Sequence, residues 1–142
     1  MTFQTEYWNV INGVKIVVET LKNLGTLKDV IIGQRTTVAE FPVAFVIPIR
    51  DAIDQATTAK NRHHIGVRVV IINSDPDPET SLSSCINIAC SAYDMLIADR
   101  TLGGACEYLY PSNFEPDYSI GDSKTLSWVV IEVNCHKLRS EA

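Results

Sequence analysis

The apolar positions of this chain fall into two kinds of pattern. Along residues 6–24 they recur at three- and four-residue steps, through Tyr7, Val10, Ile11, Val14, Val17, Val18, Leu21 and Leu24. That spacing predicts an amphipathic helix with a single buried stripe. Thr5 is placed to cap its start and Gly25 to end it. Its β-branched residues weaken the intrinsic helical preference, so packing must hold it in shape. A second helix is predicted to start at Asp75-Pro76-Asp77-Pro78-Glu79. Asp77 fits the N-cap, Pro78 fits the first helical position, and the acidic residues complement the positive helix end. Leu82, Cys85, Ile86, Ala89, Tyr93, Leu96 and Ile97 form its stripe, Arg100 falls near its end, and Gly103-Gly104 stops it.

The remaining apolar segments have the period of strands. Residues 26–34 predict a strand centred on Val30, Ile31 and Ile32 and broken by Gly33, followed by a polar connection over 35–40. Residues 41–50 predict the next strand. Pro42 and Pro48 have no N–H to give a ladder, which favours an edge position or the strand termini. Residues 51–62 are polar, rich in Thr and Ala, and carry Asp51, Asp54, Lys60 and Arg62. They predict a long loop or hairpin tip, a place where function tends to sit. Residues 63–74 predict a strong strand, with Ile65, Val67, Val69 and Ile71 facing one way and Val70 and Ile72 the other. A short strand over 105–110, a polar loop over 111–122 and a long strand over 123–138 complete the chain. The order α-β-β-β-α-β-β predicts an α+β fold with a mostly antiparallel sheet, as one domain over residues 1–142.

Strands and helices do not balance. Residues 41–49, 65–72 and 128–133 are apolar on both faces. Two helices can blanket one face of a small sheet and leave the other without a cover. The simplest cover is a further copy of the chain, which predicts a homo-oligomeric assembly protein.

Composition narrows the chemistry. With 142 residues, 46% hydrophobic and 20% charged, the chain can bury a core. A net charge of −5 argues against a general grip on nucleic-acid phosphates. Neither a secretory signal pattern nor an apolar run of membrane-spanning length is expected, which predicts no membrane partner and a cytoplasmic site of synthesis. The four cysteines, Cys85, Cys90, Cys106 and Cys135, form no C-x-x-C pair and predict reduced, buried thiols. Cys106 and Cys135 are the pair that could bridge if their strands are neighbours.

Asp75, Asp77 and Glu79 resemble a metal-binding run on paper. They lack the Gly and distal Glu of an EF-hand loop, and a turn with a helix cap accounts for them. His63 and His64 point to opposite faces of a strand. His136 can approach one of them only if the last strand pairs with the third, so these histidines read as surface or strand-end residues. No phosphate-binding glycine loop or nucleophile elbow is present. The expectation is no catalytic, metal or cofactor site. Tyr108, Tyr110, Phe114 and Tyr118 gather around one predicted loop, where aromatics beside prolines can anchor a protein interface.

The sequence of elements resembles the tail terminator proteins of long-tailed bacteriophages. The resemblance lies in an N-terminal amphipathic helix, then Phe41-Pro42-Val43-Ala44-Phe45-Val46-Ile47-Pro48, then His64-Ile65-Gly66-Val67-Arg68-Val69-Val70-Ile71. A helix closing on Leu102-Gly103-Gly104-Ala105 and the late strand Trp128-Val129-Val130-Ile131-Glu132-Val133 complete it. It implies a ring-forming protomer, typically a hexamer, in the virion at the head-proximal end of the tail. Such a ring caps the tail tube, ends its polymerisation and offers a surface for head–tail joining. The implied partners are further copies of the chain, the tail tube protein and a head-completion or connector protein. DNA would pass through the lumen without specific binding. On this reading the protein is a structural virion component, assembled in the host cytoplasm, and no enzyme. Asp51, Asp54, Lys60, Arg62, Tyr108, Tyr110, Phe114 and Tyr118 are the candidate interface residues. Two other readings are a small cytoplasmic enzyme or ligand-binding α+β domain with its pocket on the open sheet face, and another neck or baseplate component.

Overall fold

A computed structural model describes residues 1–34, 38 and 40–141. Helix α1 spans Phe3–Asn23, β1 Asp29–Ile32, β2 Val43–Gln55, β3 Lys60–Asp75, α2 Pro78–Ala98, β4 Tyr108–Ile120 and β5 Thr125–Ser140. This is the predicted α-β-β-β-α-β-β order. The strands form one mixed sheet in the order β1-β2-β3-β5-β4. Only β1 and β2 run parallel; the other three pairings are antiparallel.

The three segments that read as apolar on both faces are the three central strands, β2, β3 and β5. Strand β5 alternates strictly, with Thr125, Ser127, Val129, Ile131, Val133 and Cys135 buried and the residues between them half-buried. Cross-strand partners share a face, so the register aligns Val129 with Ile71 and Ala44, and Trp128 with Ile72 and Val43. The first set joins Val10, Val14 and Val18 of α1 and Cys85, Ala89 and Leu96 of α2 in one core. Both helices therefore pack on the same face of the sheet.

Several boundaries differ from the sequence reading. The N-cap of α1 is Thr2, whose hydroxyl accepts from the Thr5 amide at 3.2 Å, so Phe3, Gln4 and Thr5 join the helix. Asp77 caps α2 as predicted, with Pro78 in its first turn. This helix ends at Ala98, and Gly103-Gly104 lies one further turn along, where Leu102, Gly103 and Gly104 all take positive φ. Strand β2 is not an edge, because β1 lies outside it. The prolines are accommodated because β1 pairs only with Val43–Val46. Pro42 precedes that stretch, and Pro48 lies beyond it, beside a bulge between Pro48 and Arg50. There Ile49 leans over Gly66, where a Cβ would sit 3.0 Å from Ile49 Cγ1. The region 51–62 is a hairpin in which both strands run almost to the tip and turn through residues 56–59. The predicted loop over 111–122 is instead most of strand β4, paired with β5 along nearly its whole length. Most of the connection expected over 35–40 lies outside the described residues.

Candidate functional site

Beyond the helices, the other sheet face carries Phe45 and Ile47 of β2, Val70 and Ile72 of β3, and Trp128 and Val130 of β5. None of these belongs to the core formed by the two helices. Phe45 is nonetheless fully buried, as is Val43 beside it, while Ile47, Val70, Ile72, Trp128 and Val130 are half-buried. Together with Gln34, Arg68 and Leu126 they line a shallow depression of about 330 Å³. Among the described residues its one cation is Arg68, taken up across the strands by Glu132, with Nη2 donating to Oε1 at 2.6 Å and Nε at 3.1 Å. The result is an apolar floor crossing three strands, with one satisfied ion pair at its rim. An apolar patch of this kind marks an association surface more often than a catalytic centre.

The two hairpins extend this surface in opposite directions. Lys60 at the start of β3 pairs with Ser140 at the end of β5, while Asp75 at the end of β3 pairs with Thr125 at the start of β5. The β2–β3 tip and the β4–β5 tip therefore lie at opposite ends of the sheet. The predicted interface residues divide between them. Asp54, Lys60 and Arg62 sit near the first tip, with Arg62 Nη1 donating to Asp54 Oδ1 at 3.4 Å. Phe114 and Tyr118 lie toward the second.

The four aromatics do not form one cluster. A bulge between Pro111 and Asn113 shifts the register of β4 by one residue. Tyr108 and Tyr110 precede it, opposite His136 and Asn134 on the uncovered face, with their rings 6.1 Å apart. Phe114 and Tyr118 follow it, opposite the inward-facing Ile131 and Ser127. The Phe114 ring meets Tyr93 of α2 edge-on at 6.3 Å. All four remain substantially exposed.

The histidines depart most from the sequence reading. His63 is buried, not a surface residue. Its Nδ1 meets Asp51 Oδ2 at 2.5 Å, and its Nε2 meets a carboxylate oxygen of Glu141. Asp51, expected at an exposed interface, is thereby drawn inward. Both ring nitrogens are engaged, so the imidazole has no free nitrogen with which to act on a substrate. Burial alone would lower the His63 pKa, but the hydrogen bonds and charges of Asp51 and Glu141 outweigh it and raise the value. His64 lies on the opposite face, directly across from His136, with ring centroids 5.3 Å apart. The predicted condition that the last strand pair with the third is met. The Tyr108 ring stacks on His136 at 4.8 Å. Burial and the neighbouring His64 lower the His136 pKa.

The four thiols are free. Cys106 and Cys135 are neighbours, as the sequence allowed, and the Cys106 thiol donates to the Arg100 carbonyl at 3.6 Å. Cys85 is buried in α2, and burial pushes its thiol up to about 11. Cys90, expected to be buried, is exposed. Among the described residues, no group of three or more His, Cys, Asp or Glu side chains is arranged to hold a metal ion.

No protein family matches the sequence, and no curated protein does. Among solved structures, the chain is similar to one from the virion of a native gene transfer agent particle. That likeness has a TM-score of 0.43 and 13% identity, and covers 84% of each chain. A likeness of that size carries no inference about what this chain does.

Proposed function

We propose that this protein is a structural virion component that closes into a ring by burying its uncovered sheet face against neighbouring copies, and that the ring terminates a phage tail tube. The observation that carries this reading is the apolar floor of Val70, Ile72, Trp128 and Val130, half-buried within the protomer, to which neither helix contributes. A head-to-tail contact made by that face on one protomer with a different surface of the next generates a ring if the rotation closes. The hairpins at opposite ends of the sheet then suit axial contacts. One end would dock on the last tube layer and the other would meet a head-completion or connector protein. Polymerisation stops because the second end does not reproduce the acceptor surface of a tube subunit. The chain's net charge of −5 suits a lumen through which DNA slides without being held.

The test is association measured by sedimentation and negative-stain imaging, alone and with purified tube protein. The wild-type chain is expected to form closed rings, and Val130→Glu is expected to stay folded by circular dichroism yet remain a protomer. A wild-type chain that stays strictly monomeric, concentrated and in the presence of tube protein, would overturn the proposal.

A further inference from the structure

The His63 cluster lies on the helix-covered side of the sheet and is independent of the association surface. It joins three parts of the chain distant in sequence: the first turns of α1, the β2–β3 hairpin, and residues 139–141. Strand β2 supplies Asp51, and the segment after β5 supplies Glu141. Strand β5 adds Arg139, which pairs with Glu6 of α1 and, at 3.4 Å, with Glu141. It also places Lys137 directly across from His63. Asn61 of β3 reaches Glu141 from its side chain. From α1, the Phe3 ring packs 5.1 Å from the imidazole, the Arg139 guanidinium lies 5.2 Å from the same ring, and the Tyr7 phenol faces Asp51.

We propose that His63, held between Asp51 and Glu141, is a proton-operated clasp that fastens residues 139–141 and the first turn of α1 to the base of the β2–β3 hairpin.

The geometry requires the imidazolium. A neutral imidazole has one N–H, so one of its nitrogens would turn a lone pair toward a carboxylate oxygen. With both nitrogens protonated, each donates to its own carboxylate. Among the described residues the second oxygen of Asp51 is buried without a hydrogen-bond partner, so this carboxylate depends on the charge of His63. Removing that charge leaves a buried anion uncompensated. The direction of the pH response follows. Because folding raises the His63 pKa, the clasp's contribution is complete below the ordinary value of about 6.5 and is lost as pH rises through the raised one. Glu141 behaves oppositely. Its hydrogen bond from His63 lowers its pKa, so its share is present above the ordinary glutamate range and lost as pH falls through the lowered value. The clasp is therefore closed between the lowered Glu141 value and the raised His63 value, and opens as pH rises past the latter.

The experiment uses the full chain. The three imidazoles are titrated by NMR, and amide exchange of residues 137–141 is followed from about pH 5.5 to about pH 9, corrected for intrinsic exchange. His63 is expected to titrate above the free-histidine value. Protection of residues 139–141 is expected to fall roughly tenfold for each unit of pKa elevation as the proton leaves. Glu141→Gln should lower the His63 midpoint and flatten the pH dependence of that protection. A His63 midpoint at or below the free value overturns the proposal, and so does protection that ignores pH while His63 titrates. Both outcomes are read on the wild-type chain, so the test survives if the variant fails to fold.

Discussion

Val130 and Ile131 are neighbours in β5 with opposite roles, and truncating each in turn tests the uncovered face directly. Ile131 is fully buried against the helices, while Val130 is half-buried on the other side. Ile131→Ala removes three carbons from a site closed to water. At about 0.8 kcal/mol per carbon, with a further penalty for the cavity left behind, the cost is about 3–4 kcal/mol. Val130→Ala removes two carbons that the protomer only half covers, so the dilute chain should lose about 1 kcal/mol or less. Urea denaturation at a concentration where sedimentation shows protomers would give both values. Repeated where the protein is assembled, the same experiment should leave the Ile131 cost nearly unchanged and raise the Val130 cost, because a neighbour then completes the burial. Equal costs in the dilute protomer, with equal denaturant slopes, would refute the reasoning: Val130 would then be covered within its own chain.

Other side chains give equally concrete expectations. Ser81 at the start of α2 lies 3.0 Å from the Thr125 carbonyl and 2.7 Å from the Ser127 hydroxyl, all of them buried. Ser81→Ala strands those acceptors and should cost about 1–3 kcal/mol, read from urea midpoints with Ser83→Ala as the exposed control. Cys90 is the exposed cysteine, and Cys85 has its thiol pushed up to about 11. A thiol reagent should therefore modify Cys90 rapidly in the native chain and Cys85 only on unfolding; fast native labelling of Cys85 would contradict its burial.

The fold was legible where the hydrophobic period was long and unbroken. The stripe from Val10 to Leu21 and the alternation of residues 65–72 place α1 and β3 on the correct faces, because each repeats the same signal several times. The helix cap at Asp77 was legible because its chemistry is local. Strand β4 was hidden because Tyr108–Ile120 is an outer strand whose side chains are nearly all exposed, so it carries no burial period. Its two prolines also imitate a loop. The split of the aromatics onto two faces depends on a single bulge, which reverses every position after it and leaves no trace in composition. The buried role of His63 was invisible for another reason. Its partners lie 12 and 78 residues away, and no spacing rule connects them. What the sequence did carry was the pairing condition for His136, which becomes a contact once β3 and β5 are known to be neighbours.

The same sheet therefore serves two separate ends, and its pleat keeps them apart. Alternate residues of one strand point to opposite sides. His63 and Ile65 face the helices, while His64, Arg68 and Val70 face the uncovered floor. A proton leaving His63 acts on the first turn of α1 and on residues 139–141 without changing any side chain of the floor. A neighbour seated on that floor would cover Trp128 and Val130 without touching the clasp. The two can influence each other only through the shared backbone of β2, β3 and β5, which is also where the protein's pairing is densest. Such a frame resists transmission: a change confined to strand ends must strain paired backbone before it can move the centre. The floor is thus expected to be a fixed template, and the region around residues 139–141 the part whose position responds to its surroundings.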